Sequence, residues 1–312
     1  MAFSLNIFIS GEVTAGEKII SFDEHDDSIL DVEFSSDNNM VVSGSSDETV
    51  KIWDIHTKEI ITTFWAHIDT VESVDFSSDD NLVISGSWDE TAKIWDANTG
   101  ETITEFKEHD GTVYSTAFAS EDNMVVSGAQ DEKAKGKVWD GDTGEIKTNF
   151  WAHDDQIYSV DFSSNDDMVV SASFDGRAIV WDADTGEDLT VFEKHDGNAV
   201  YSVSFSSDDS MVVSGGYDET AKVWDAETGE VLTNIEGHDR RVFSVDFSSD
   251  DSMVVTGSYD ATVKVWNSET GEIITSYDGH ETYVNAVSFS PDDKMVVSGS
   301  SDETVKVWEL PN

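Results

Sequence analysis

Tryptophan recurs along this chain at an almost constant interval. Trp53, Trp95, Trp139, Trp181, Trp224, Trp266 and Trp308 lie 42, 44, 42, 43, 42 and 42 residues apart, each followed by Asp, Asn267 or Glu309. A second marker keeps the same rhythm at His25, His67, His109, His153, His195, His238 and His280, and only His56 stands outside it. This period constrains the fold more than composition does. A unit of this size cannot bury an apolar face alone, so it must stack against copies of itself.

Within a unit the text is also fixed, as in HDRRVFSVDFSSDDSMVVTGSYDATVKVW from His238 to Trp266. Runs rich in β-branched and aromatic residues (VFSVDF, MVVTGS, TVKVW) predict three short strands. Clusters of Asp, Ser and Gly between them predict turns. A fourth strand follows every Trp but the last, after a Thr-Gly-Glu turn (Thr-Lys-Glu after Trp53), as in GEVLTNI and GEIITSY. Four antiparallel strands per unit make one propeller blade.

On these markers the chain resembles the WD-repeat family, whose signature is a Gly-His pair, a Trp-Asp pair and a period of about 40 to 45 residues. Gly-His itself survives only at Gly237-His238 and Gly279-His280. The expected fold is all-β: a closed seven-bladed β-propeller of four-stranded antiparallel blades, one domain over residues 14–310. Residues 1–13 do not fit the period and are taken as an extension with room for an edge strand. The last unit stops at Trp308 without a fourth strand, while TAGEKIISF (Thr14 to Phe22) matches the fourth-strand text DTGEDLTVF (Asp184 to Phe192). The N-terminal strand is therefore expected in the last blade, leaving no free radial edge.

Charge and composition exclude several function classes. With 66 Asp and Glu against 17 Lys and Arg, the formal charge is -49, a field that repels phosphate backbones and anionic headgroups. Neither nucleic acid nor a membrane is expected as a partner. No cysteine is present to form disulfides or thiolate metal sites. The stretch AFSLNIFIS has the length of a short signal core, but no basic residue precedes it and Asn6 interrupts it, so the cytoplasm is favoured over secretion.

Ser, His and Asp recur in every unit, and they are also the parts of a hydrolase triad. The Asp series is Asp47, Asp89, Asp131, Asp175, Asp218, Asp260 and Asp302, six residues before the Trp except in the third unit, where an insertion makes it eight. Seven near-identical copies give no copy a reason to be an active site, so no catalytic residue is assigned. The resemblance implies instead a hydrogen-bonded network in each blade, running from Trp through Ser or Thr and His to Asp. Which serine of Ser43-Gly44-Ser45 belongs to it is left open. No His pair has ligand spacing, so neither metal nor cofactor is expected.

Specific function belongs where the copies diverge. The residue before the blade Asp reads Ser46, Trp88, Gln130, Phe174, Tyr217, Tyr259 and Ser301; the one five or six after the His reads Leu30, Glu72, Tyr114, Tyr158, Tyr201, Phe243 and Asn285. The resemblance places both series around the channel mouth on one face, where propellers of this family commonly take peptides. Eight aromatic residues then ring one rim, with the three arginines, Arg177, Arg240 and Arg241, in loops of the same face. Aromatic rims and arginine forks are typical interface anchors. The opposite face is expected to carry the SSDD, SEDN, SNDD and SPDD turns and the Thr-Gly-Glu turns as a ring of carboxylates.

The expected function is a non-catalytic scaffold that binds a protein or peptide on its aromatic face. One alternative is a structural or self-assembling array, engineered or recently amplified and without a dedicated ligand. Its motive is that VVSGSSDETVKIWD and VVSGSSDETVKVWE, ending at Asp54 and Glu309, differ at two positions. Another is an acidic propeller that binds cations or is adapted to high salt. Oligomeric state is open.

Overall fold

A computed structural model describes residues 19–65, 67–120, 123–132 and 135–311, and among these every regular element is a strand. The strands form seven antiparallel sheets of four. In six of them the strands follow chain order from the innermost outwards, as in Val200–Phe205, Met211–Gly216, Thr220–Asp225 and Val231–Glu236. The seventh is composite. Val284–Phe289, Met295–Ser300 and Val305–Glu309 are completed by Ile19–Phe22, with Ile20 opposite Val307 and Phe22 opposite Val305. The two ends of the chain thus close one blade. Residues 14–18 of the expected closing strand, and the extension before them, lie outside the described residues.

Burial along the strands follows from their place in a blade. The second and third strands are covered on both faces by neighbouring blades, so MVVSGS (Met40–Ser45) and VKIWD (Val50–Asp54) are near-continuous buried runs. Innermost strands alternate between blade interface and channel, and outer strands such as Thr102–Phe106 alternate between interface and solvent. The core is therefore a set of slabs between blades. One slab joins Val42, Ile52 and Phe64 to Val71, Phe76 and Trp95 of the next blade, with Phe64 and Trp95 rings 5.3 Å apart. Close approach requires small residues: a Cβ on Gly257 would meet the Val284 methyl of the next blade at 2.8 Å.

Every innermost strand carries a β-bulge at its second residue. Val113 pairs with Ala129 and Ser115 with Gly128, leaving Tyr114 without a partner, and the same shift recurs in all seven blades. A bulge frees one residue from the ladder and redirects its side chain. The positions so freed are Leu30, Glu72, Tyr114, Tyr158, Tyr201, Phe243 and Asn285.

Blades are also fastened by polar bonds between neighbours. Ser73, Ser115, Ser159, Ser202 and Ser244 each accept, through Oγ, a backbone N–H of the following blade at 2.9 to 3.2 Å, and Asp31 does the same for Val74. At the seam Ala286 replaces the serine. There Asn285 donates to the Ile29 carbonyl at 2.7 Å. On the opposite face a second ring of bonds joins successive turns: Asp80, Asp166, Asp209, Asp251 and Asp293 each accept both the N–H and the Oγ–H of a serine one blade earlier.

Candidate functional site

The recurrent polar residues meet inside each blade. In the first, the Trp53 indole donates to Ser43 Oγ at 2.8 Å, Ser43 lies 2.8 Å from His25 Nε2, and His25 Nδ1 lies 2.7 Å from Asp47. With Nδ1–H facing the carboxylate, Nε2 is left to accept the serine proton, and the chain is satisfied by a neutral imidazole. Ser43, not Ser45, is the member; Ser45 bonds the Asp27 carbonyl instead. The same chain is built on His67, His109, His153, His195, His238 and His280, with Thr256 in place of serine in the sixth blade. Its hydroxyls have no exposure and lie against indole N–H groups.

Burial holds the His25, His109, His153, His238 and His280 imidazoles below their usual range, against the pull of the paired aspartates. For Asp47, Asp89, Asp175, Asp218, Asp260 and Asp302, burial works to raise the carboxyl. Hydrogen bonds led by the one from His overcome it and hold each well below the carboxylate range. Asp131 is lowered in the same way.

A cation completes each network. Lys51, Lys93, Lys222, Lys264 and Lys306 reach the blade aspartate at 3.2 to 3.8 Å, and Lys137 pairs with Asp131. The fourth blade has Ile179 at the lysine position. There Arg177 takes the place, contacting Asp175 at 2.7 Å, Asp154 at 3.2 Å and the Ala152 carbonyl at 2.6 Å. Arg177 is thus engaged with acids of its own blade, whereas among the described residues no carboxylate lies within 4.0 Å of Arg240 or Arg241.

The two divergent series meet at one end of the channel, a cavity of about 610 Å³ lined by all seven innermost strands. Tyr114, Tyr158, Tyr201 and Phe243 form its mouth as a continuous arc with ring centroids 5.0 to 5.3 Å apart, extended by Tyr259 and Phe174 at about 6 Å. Outside this arc Trp88, Phe174 and Tyr217 are each close to half exposed, at 47%, 48% and 47%. Across the mouth stand Leu30, Glu72 and Asn285, and the Trp88 indole donates to Glu72 at 2.5 Å. The mouth therefore has an aromatic side and a polar side.

Several contributors escaped the sequence reading. Below the rim, the channel wall carries Asp31, Glu33, Asp75, Asp161 and Asp246. Asp75, Asp161 and Asp246 accept backbone N–H groups of Phe118, Phe205 and Phe289 in the next blade at 2.8 to 2.9 Å. Burial pushes Asp31, Asp75, Asp161 and Glu72 up to about 7 and Asp246 up to about 6, and raises Glu33 well above its usual value. The signal was available: the residue before the strand-ending Phe reads Glu33, Asp75, Ala117, Asp161, Ser204, Asp246 and Ser288. Tyr283 stacks on Tyr259 at 3.6 Å, and Trp65, Ile68 and Trp151 are 74%, 83% and 63% exposed. Trp65 and Trp151 stand two residues before their histidines, where the other units are polar.

On the opposite face the turn acids serve as hydrogen-bond acceptors. Asp96 takes the N–H and Oγ–H of Thr99, and Asp140, Asp182 and Asp225 do the same with Thr143, Thr185 and Thr228. These bonds lower their carboxyls. Among the described residues no group of three or more His, Asp or Glu is placed to hold a metal ion.

No helix among the described residues is long and apolar enough to cross a membrane. No curated protein matches the chain. The family model for the WD domain, G-beta repeat, matches residues 16–54, 58–96, 100–140, 144–182, 186–225, 229–267 and 271–309. Each match ends at the third strand of a blade and begins before the outermost strand of the preceding one, so the sequence unit straddles two blades. Propellers of this kind are generally non-catalytic scaffolds that bind proteins or peptides. Seven consecutive matches over nearly the whole length, on seven four-stranded blades, make this chain a member of the WD-repeat family.

Proposed function

We propose that this protein is a non-catalytic interaction scaffold that takes a peptide or protein segment on its aromatic face. The observation that carries the proposal is the arc from Tyr114 through Tyr158 and Tyr201 to Phe243, fringed by half-exposed Trp88, Phe174 and Tyr217. Rings already packed on one another lose little freedom on binding and offer large contact area. The side chains come from bulges and loops, so they can serve a partner without disturbing the blades. The Ser-His-Asp chains are buried and capped by indoles, which fits a framework role for the His, Asp and Trp series. A charge of -49 favours a protein ligand over a polyanion.

The test is a pull-down with wild type, Trp88→Ala and Tyr217→Ala. The expected outcome is loss of a partner in the variants with melting unchanged. Retention of every partner by both variants would remove the top-face assignment.

A further inference from the structure

One arginine of the rim is held among aromatic rings. The Arg241 guanidinium lies 4.5 Å from the Tyr217 ring, 5.0 Å from Tyr259 and 6.0 Å from Phe243, and its Nη1 donates to the Tyr201 hydroxyl at 3.4 Å. Aromatic faces fix the plane of a guanidinium but leave its in-plane N–H edge unused. In a chain with 66 acidic residues, no carboxylate of the described structure comes within 4.0 Å of that edge. The neighbouring hydroxyls point the same way chemically. The Tyr259 and Tyr283 hydroxyls bond each other at 2.6 Å, which uses one of their two protons and leaves the other for another acceptor, and Tyr201, which accepts from Arg241, keeps its own proton to give. Exposed Arg240 adjoins them.

From this geometry we infer that the notch around Arg241 is a subsite for one side-chain carboxylate, Asp or Glu, of a bound peptide, with the residues flanking that acid lying on the aromatic arc. It rests on the rim being the binding face. Charge selects among anions: repulsion from a molecule of -49 grows with ligand charge, so a monoanionic carboxylate is tolerated where a dianionic phosphate is opposed about twice as strongly.

A bead library of random heptapeptides, acetylated and amidated so that side chains are the only carboxylates, is panned against wild type, Arg241→Gln, Arg241→Lys and Tyr158→Ala. Wild type is expected to select Asp or Glu at one position. The best sequence remade with Gln for Glu should bind about tenfold more weakly, because a charge-assisted bidentate contact becomes a neutral one. Arg241→Gln should bind both versions alike, and Arg241→Lys should keep part of the preference, which guards against a merely misfolded Gln variant. Selection without acidic enrichment, or with Lys and Arg enriched, that still vanishes in Tyr158→Ala overturns the carboxylate subsite and leaves the binding face standing. No selection by any form overturns both.

Discussion

At the scale of the residue, the His-Asp pair is the most consequential contact. Asp260→Ala leaves buried His238 without its acceptor, and chemical denaturation should register a loss of about 1–3 kcal/mol. Arg177 offers a sharper test. It replaces a lysine missing from its blade, so Arg177→Ala should destabilise by a similar order, and adding Ile179→Lys should restore much of the loss. An uncorrected double variant in thermal melts would mean that Arg177 does not stand in for lysine. This exchange was readable before any coordinates: six units carry Lys two residues before Trp, and the one with Ile carries the extra Arg. The choice between Ser43 and Ser45 was not readable, because two residues of like type at i and i+2 face the same side and spacing alone cannot say which is level with the indole.

At the scale of the element, the closing strand carries more than its four residues suggest. Phe22 lies 4.9 Å from the Trp53 ring, so a strand of the last blade covers the first blade's tryptophan. Phe22→Ala should cost about 3–5 kcal/mol by cavity formation, with early exchange of the Val305–Glu309 amides. A Phe22→Ala protein as stable as wild type, by denaturant titration, would show that the seam is not held there. The strands of each blade were legible because apolar pattern and turn chemistry report them, the seam because the N-terminal text matches the fourth-strand text, and the closed ring because the resemblance implies it. Bulges and inter-blade bonds were not. A bulge leaves no mark in composition, and a serine that bonds the next blade reads, in sequence, like any turn or strand serine.

At the scale of the molecule, two opposing charge effects set the response to conditions. Self-repulsion at -49 should make melting temperature climb as salt is raised, since screening shortens the reach of each charge. A melt indifferent to salt would show that hydrogen-bonded acids such as Asp96 and Asp80 had already absorbed the strain. The channel acids act through pH. Asp31, Asp75 and Asp161, raised to about 7, hold protons in the folded state that an unfolded carboxyl releases near about pH 4. Their protonation favours folding below the folded value, and this advantage is lost as pH rises through about 7. His25, His109, His153, His238 and His280, held low by burial, oppose this only below about pH 6.5, where the unfolded chain binds protons more readily. Between about pH 6.5 and 8 the melting temperature should therefore fall, and fall less in Asp75→Asn, which keeps an acceptor for the Phe118 N–H.

The seven bulges have a consequence beyond binding. Each exempts one side chain from the strand ladder, so what stands at Leu30, Glu72, Tyr114, Tyr158, Tyr201 or Phe243 is largely decoupled from what holds the ring together, and only Asn285, which bonds the Ile29 carbonyl across the seam, also fastens two blades. The propeller is in effect a socket board: bulged positions around one opening, whose occupants pack on one another but not into the blades, so that they can be exchanged codon by codon to write a new specificity on an unchanged frame.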